Sequence, residues 1–363
     1  MNIKQREESF GKKITFFTFI LTFFVVLSHW QEYYSIVSHG EGALAVSFIT
    51  KFYSLMGSVA LVSFFMMSGF LFFSGVESFS DLKGKILRRV ISLGIPFVVW
   101  NVFNLAFNIA YGLYKGQLDI GALDLIKGFT ISPFNAPTWY LLALLVLACL
   151  SPLMIMLKKR PRVALIMAIV VFLGVPFLYS AWQPANAILV WIKRLVGYFP
   201  VYFATSVIAM HKRDSVIKDD EYKHSRVISY GSLILSLAII LIFTFGSIEM
   251  PVVRLFTYQI LPALLWLAMP SSKFDKLTIK LPITIAPFIY GMHIVLKLIL
   301  NSLWTQKLFK NVDFPLLLDI IFHFILVGVI YGICLGVAYL AKKLLPEKIY
   351  KIFAGGSAGR KMF

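Results

Sequence analysis

The chain has 363 residues, of which 59% are hydrophobic and 14% are charged, and its formal net charge is +18 at pH 7. This composition is too apolar and too poor in charge for a soluble globular domain, so lipid is the expected solvent for most of the chain. The positive charge alone would also fit a nucleic-acid-binding protein, but its distribution fits membrane topology instead.

Ten segments are long and apolar enough to cross the hydrocarbon core as helices. Five of them contain no Asp, Glu, Lys, Arg or His, and the other five carry at most two ionisable residues. Backbone groups in lipid must be satisfied within their own segment, and no alternating pattern of a membrane β-barrel is present. The sequence therefore predicts an all-α polytopic bundle with about ten transmembrane helices. The predicted spans are 14–28, 52–76, 90–114, 128–157, 163–192, 195–210, 227–248, 255–270, 282–300 and 315–341.

The basic residues follow the positive-inside rule. With the N-terminus in the cytoplasm, 26 of the 35 Lys and Arg residues fall on the cytoplasmic side, and the C-terminus is cytoplasmic too. We therefore expect the lipid bilayer, and not a nucleic acid, as the partner of this charge. The cytoplasmic basic residues lie in the N-terminal tail, near 83–89, 158–162, 212–226 and 273–280, and after Ala341.

No polar segment between spans is long enough for a soluble domain, so residues 1–353 are predicted to form a single membrane domain. Residues 354–363 are small and basic and are predicted to be a disordered tail. Cys149 and Cys334 lie in apolar spans, which predicts neither a disulfide nor a metal site. Gly328, Gly332 and Gly336 recur every four residues, which is typical of a close helix-packing face.

Ionisable groups within membrane spans are costly unless they are paired or hydrated, so they are the first candidates for function. The topology places several of them in the outer half of the bilayer, where they would form a polar chamber open to the outside. Interfacial snorkelling of the long cations and bonding between helices are the structural alternatives. The residues concerned are His29, Glu32, Lys193, Arg194, Arg254, His293, Lys297, Asp319 and His323.

A second cluster precedes the third span on the cytoplasmic side and contains Lys85, Arg88 and Arg89. Topology alone accounts for a basic cluster at this place. A phosphorylated donor such as coenzyme A would need the same cluster, because guanidinium groups pair bidentately with phosphate. The residues themselves do not choose between these two interpretations.

Several stretches of the sequence are similar to motifs of the membrane-bound acyltransferase 3 family, and they occur in the same order. The most specific is RRVISLGIPFVVWN, from Arg88 to Asn101, followed by the serine-glycine-aromatic motif at Ser68 to Phe70. The others are FFVVLSHW around His29, PTWYLLALLVLACLSPL from Pro137, and FIYGMHIVL with Tyr290 and His293.

This resemblance implies a multi-pass enzyme of the bacterial inner membrane. Such an enzyme moves an acyl group, usually acetyl, from cytoplasmic acyl-coenzyme A to a hydroxyl or amine of an extracytoplasmic glycan. Acyl-coenzyme A is then a co-substrate, and no permanently bound cofactor or metal is expected. The histidine of the family's first span corresponds to His29, and its basic residues before the third span correspond to Arg88 and Arg89.

We therefore expect three groups of functional residues. His29 acts as general base on the acceptor hydroxyl, since imidazole titrates near neutral pH, and Glu32 or Asp319 orients it. An acyl-histidine intermediate is the alternative. The donor is expected to bind at Lys85, Ser68, Arg88 and Arg89, and the chamber to be lined by Trp139, Arg194, Tyr290, His293 and His323.

Two positions depart from the family pattern. The family's arginine eleven residues before the histidine is replaced by Thr18, and an Arg-Asp pair of many relatives by Leu142 and Ala143. Either other cations such as Arg194 replace these groups, or the chain is an inactive acyltransferase-like partner.

A transporter or flippase of a lipid-linked glycan would have the same sequence features, which are ten spans, a polar interior and basic groups on the outer side. No internal repeat supports this alternative. A homodimer is an option that the sequence leaves open.

Overall fold

Every predicted span contains helix in the computed structural model, but the spans 128–157 and 163–192 are each interrupted by a non-helical stretch, at 129–135 and 182–186, and the residues that the structure describes contain no strand. The described residues are 3–30, 43–116, 120–222, 226–246, 250–274, 285–303 and 316–355. In chain order the helices are α1 (Ile3–Ser28), α2 (Ala43–Phe73), α3 (Phe79–Arg89), α4 (Ile95–Lys115), α5 (Ala122–Gly128), α6 (Trp139–Ile155), α7 (Pro161–Ala181), α8 (Ala187–Tyr222), α9 (Arg226–Phe245), α10 (Pro251–Ala268), α11 (Ile285–Leu303), α12 (Leu316–Leu344) and α13 (Glu347–Ala354).

Nine helical units in the described ranges are long and apolar enough to span a membrane. They are α1, α2, the continuous α3–α4 unit, α6, α7, α8, α9, α10 and α12. The predicted span at 282–300 corresponds to α11, which has 19 residues but is not among the nine. The prediction of a polytopic helical membrane bundle is thus confirmed.

Helix α2 lies at the centre of the bundle, with 78% of its spanning window buried, whereas α7 lies at the edge with 17%. Two glycines allow neighbouring helices to approach α2 closely. A Cβ on Gly57 would lie 2.4 Å from Cβ of Ser28 in α1, and one on Gly69 would lie 2.4 Å from the carbonyl oxygen of Tyr202 in α8. Any larger side chain at either position would push these helices apart.

A π-helical turn, Val90–Gly94, joins α3 to α4. Pro96 follows it and has no N–H, so the carbonyl of Ser92 lacks its usual α-helical donor. Helix α13 ends beside this turn: Gly355 has φ +83°, and a Cβ there would lie 2.5 Å from the Ser92 oxygen. Ala354, where the predicted tail begins, is buried at the end of α13, and residues 356–363 lie outside the described ranges.

The basic segments converge on one side of the bundle, which we call the basic face and define by Lys85, Arg89, Lys158 and Arg213. Ion pairs tie it together: Arg213 contacts Glu7 of α1 at 2.5 Å, and Lys158 contacts Glu77 at 2.5 Å. Helix α8 bends next to Arg213, at Lys212, whose backbone angles are not helical (φ −138°, ψ 17°). By the positive-inside rule this is the side expected to face the cytoplasm.

No described residue packs closely against the glycines of α12, although their spacing predicts a packing face. A Cβ on Gly328, Gly332 or Gly336 would have no described atom within 4 Å. Spacing by four residues places the glycines on one side of a helix but does not determine which neighbour that side meets. Within the described part of the chain, this side of α12 is open.

Candidate active site

A cavity of about 210 Å³ lies at the end of α1 that is remote from the basic face. We call it the His29 pocket. Its walls combine an imidazole, several hydroxyl groups and an indole, which are the groups that orient polar substrates in otherwise apolar pockets. The pocket is lined by Val25, Ser28, His29, Ser54, Gly57, Ser58, Leu61, Pro137, Trp139 and Tyr290.

The position of His29 follows from how α1 ends. Helix α1 stops at Ser28, and the next turn is closed by the His29 N–H, which donates to the carbonyl of Val26 at 3.2 Å. The Ser28 hydroxyl donates to the Val25 carbonyl at 2.8 Å, so it does not compete for the pocket. Because Gly57 lets α2 approach Ser28, the imidazole of His29 lies beside the serines of α2.

His29 is paired with a second histidine. The ring centroids of His29 and His293 are 5.2 Å apart, and the planes are tilted by 45°. Nδ1 of His293 lies 2.8 Å from the carbonyl oxygen of Ile289. A carbonyl oxygen only accepts hydrogen bonds, so Nδ1 carries the proton in neutral His293 and Nε2 is left as an acceptor. This Nε2 is fully buried and has no hydrogen-bond partner among the described residues.

A buried hydrogen-bond network connects three of the family-like motifs. The Asn135 N–H donates to Oδ1 of Asn101 at 3.1 Å, and Nδ2 of Asn135 donates to the Gly291 carbonyl at 2.9 Å. Nδ2 of Asn101 donates to the Thr138 hydroxyl at 3.0 Å. Both asparagines are completely buried. The network therefore fixes the loop before α6 against α4 and α11, which orients Trp139 and Tyr290 toward the pocket.

Aromatic side chains separate the His29 pocket from the basic face. Tyr290, which lines the pocket, is stacked on Tyr140 with centroids 6.0 Å apart and an angle of 18° between the rings. The ring centroid of Phe64 lies 5.8 Å from the ring centroid of each tyrosine. On the far side, Arg89 is near enough to interact electrostatically with the hydroxyl groups of Tyr140 and Tyr202. This aromatic partition, Phe64, Tyr140 and Tyr290, thus lies between the imidazole pair and the basic face.

The residues predicted to bind the donor differ in their surroundings. Arg88 is exposed, and the guanidinium of Arg89 lies 5.7 Å over the ring of Phe72. Lys85 donates to the carbonyls of Phe72, at 2.9 Å, and Ser74, so its ammonium group caps the end of α2. Ser68 is buried in α2, next to the tight crossing with α8. Of the charged residues predicted to bind the donor, only Arg88 and Arg89 therefore donate no hydrogen bond to a backbone carbonyl of the described residues.

A second cavity, of about 260 Å³, opens on the basic face. It lies between the end of α2 and the bend of α8, and no sequence motif predicts it. Its charged walls are Glu77, Lys158, His211, Lys212, Arg213 and Asp214.

The structure brings together several of the residues that the sequence singled out. His29, His293, Trp139 and Tyr290 meet at the His29 pocket, and the guanidinium of Arg194 lies 5.9 Å over the Trp139 ring. Glu32 lies outside the described residues, and only the backbone of Asp319 and His323 is described, within α12. Sequence reasoning missed Ser54, Ser58 and Asn135, because single polar residues in an apolar run carry no motif of their own.

Most of the chain matches one known protein family. A family model described as an acyltransferase domain, acyltransferase 3, matches residues 14–341. The chain belongs to the acyltransferase 3 family. No curated protein and no solved structure matched the chain. The family match includes the His29 pocket, the aromatic partition and the basic face, so the imidazole pair belongs to a membrane acyltransferase.

Two of the departures from the family pattern are buried in this acyltransferase. Thr18 is 9% exposed, and its carbonyl accepts a hydrogen bond from the Thr22 hydroxyl at 2.6 Å. Ala143 is fully buried against the apolar core. A charged side chain at either position would have to displace buried neighbours. Arg194, from a different helix, has its guanidinium 5.9 Å over the Trp139 ring.

Proposed function

We propose that this acyltransferase transfers an acyl group, acetyl in the first instance, from cytoplasmic acyl-coenzyme A to a hydroxyl of an extracytoplasmic or lipid-linked saccharide. The observation that carries the proposal is the pair His29 and His293 at the end of a pocket opposite the basic face. An imidazole pair with one fixed acceptor nitrogen suits general base catalysis on a hydroxyl group.

The donor would dock with its phosphates at Arg88 and Arg89, because guanidinium groups bind phosphate oxygens bidentately. Its pantetheine arm would pass the aromatic partition, and its thioester would reach the His29 pocket. Rotation of the Tyr140 and Phe64 side chains would open this route, because only noncovalent ring contacts hold them against Tyr290. The acceptor would enter the pocket from the other side.

The chemistry needs one proton transfer in each direction. One nitrogen of His29 takes the proton of the acceptor hydroxyl while the hydroxyl oxygen attacks the thioester carbonyl carbon. The tetrahedral intermediate collapses, the C–S bond breaks, and the leaving thiolate takes the proton from the imidazolium. The products are the saccharide ester and coenzyme A with a free thiol, and His29 returns to its starting state.

His293 would orient the base in this scheme. Its Nδ1–H is committed to the Ile289 carbonyl, and its buried Nε2, which has no hydrogen-bond partner among the described residues, would accept one from the other nitrogen of His29 during catalysis. In this scheme His293 has the orienting role that was predicted from the sequence for a carboxylate, Glu32 or Asp319. The hydrogen bond to His293 would hold the His29 ring in one tautomer, with its free nitrogen toward the acceptor.

Ester content of the cell surface tests the function as a whole. Surface glycans are compared by NMR and mass spectrometry in cells lacking the protein and in cells carrying the parent protein, His29→Ala or His211→Ala. We expect acyl esters with the parent protein and with His211→Ala, whose histidine lies on the basic face, and none with His29→Ala. Equal ester content with and without the protein contradicts the proposal.

A further inference from the structure

Two described cations lie beside residues of the His29 pocket. Arg194 lies over Trp139, a wall residue. Lys297 interacts electrostatically with both His29 and His293. Both of these described cations add positive charge near the pocket.

Arg194 differs from its neighbour in sequence in what it contacts. The ammonium of Lys193 donates to the Trp182 carbonyl at 2.5 Å and lies 4.7 Å over the Tyr179 ring. Arg194 is exposed, has its guanidinium 5.9 Å over the Trp139 ring and forms no ion pair with a residue that the structure describes. Other basic residues do form ion pairs, with Glu7, Glu8, Glu77, Asp214 and Glu347.

The walls of the pocket combine with this cation to favour one class of ligand. Trp139 presents a flat apolar ring with a polar edge, and Ser54, Ser58 and Tyr290 present hydroxyl groups. A saccharide offers apolar ring faces and many hydroxyl groups. A guanidinium at the edge of a membrane is costly to desolvate, and an oxyanion that it binds bidentately offsets that cost.

We propose that the acceptor is an anionic saccharide, whose oxyanion is held by Arg194 while one of its hydroxyl groups faces His29. This inference rests on the proposed function and specifies its acceptor. The oxyanion is either a sugar carboxylate or a phosphate ester, such as that of a lipid-linked saccharide. Both fit the planar fork of a guanidinium, so the experiment includes one probe of each kind.

Binding without donor tests the inference separately from catalysis. The purified protein in detergent is titrated, by tryptophan fluorescence and calorimetry at low salt, with three disaccharides of equal size. One carries a carboxylate, one carries a phosphate and one is neutral. The protein variants are the parent, Arg194→Gln and the matched control Lys193→Gln. Thermal melting of each variant checks that it is folded, and Arg194→Lys is included to separate charge from geometry.

We expect the parent to bind one anionic disaccharide about ten-fold more tightly than the neutral one, which corresponds to about 1.4 kcal/mol. Arg194→Gln should lose this preference and keep the neutral affinity, Arg194→Lys should keep part of it, and Lys193→Gln should keep all of it. The anion that binds more tightly identifies the source of the charge. Equal binding of all three probes, binding of none, or an equal loss in Lys193→Gln overturns the inference. Failure of the proposed function would appear differently, as no release of coenzyme A with any acceptor.

Discussion

The indole ring of Trp100 packs directly on the backbone of Gly291: a Cβ added at residue 291 would lie 1.8 Å from the ring. This contact joins α4 to α11 just before His293, and Nε1 of Trp100 also donates to the Phe353 carbonyl of α13 at 3.1 Å. One aromatic side chain thus links the C-terminal helix to the helix that carries the second histidine of the site.

Gly291→Ala should therefore destabilise the protein. The added methyl group overlaps a ring that is itself surrounded by Phe103, Phe288 and Phe353, so the helices must separate, at a cost of about 1–3 kcal/mol or more. Thermal melting in detergent measures the effect. Gly328→Ala is the matched control, because a Cβ there meets no described atom. An unchanged melting temperature for Gly291→Ala would show that the contact is not formed.

Asn135→Ala should destabilise the loop before α6. It removes the hydrogen bond to Gly291, at a cost of about 1–3 kcal/mol for a buried group left without its partner. The Asn101→Leu variant should show non-additive behaviour with Thr138→Val in a double-mutant cycle, since these two side chains share a hydrogen bond of the same network. Asn108→Ala on the same helix as Asn101 serves as control. Additive losses of stability would contradict the network.

Tyr140→Ala should open the aromatic partition. The stacked contact with Tyr290 is lost and water gains a route between the His29 pocket and the basic face. We expect release of coenzyme A from acyl-coenzyme A in the absence of a saccharide to rise several-fold, while Tyr140→Phe keeps the ring and the low parent rate. The measurement is a thiol assay on purified protein. A rate in Tyr140→Ala no higher than in Tyr140→Phe speaks against a partition at these residues.

Lys85 and Arg89 should respond differently to neutral substitution. Lys85→Met removes the donor to the Phe72 and Ser74 carbonyls, so it should lower the melting temperature by several degrees. Arg89→Gln should leave the melting temperature nearly unchanged and raise the KM for acyl-coenzyme A, by about ten-fold for one lost phosphate contact. The reverse assignment, with a stable Lys85→Met protein and a KM unaffected by Arg89→Gln, would remove Arg89 from the donor site.

Much of the fold could be predicted from the sequence because the lipid solvent imposes a strong pattern. Most of the charge-free run 52–76 lies in α2, and the run 163–192 contains most of α7 and the start of α8. The pairing of His29 with His293 could not be predicted, since it joins residues 264 positions apart and no local pattern encodes it. The same is true of Asn135, which reaches Gly291 only because the loop before α6 turns inward.

Two structural details also had no local signal. The return of α13 onto α4 depends on Gly355 fitting against the Ser92 carbonyl, which is a matter of backbone approach and not of hydropathy. The glycines of α12 had the spacing of a packing face, yet no described helix covers them. Spacing gives the direction in which side chains point and leaves the identity of the neighbour open.

The most direct test of the central claim is acyl transfer by purified protein in liposomes, with acyl-coenzyme A on one side and glycan extracted from the cell surface on the other. The parent protein should release coenzyme A on the donor side and form saccharide esters on the opposite side. His29→Ala should lower this rate by about 100-fold or more, and His293→Gln should lower it by less. Transfer by His29→Ala at the parent rate, with His211→Ala as the folded control, would contradict the account.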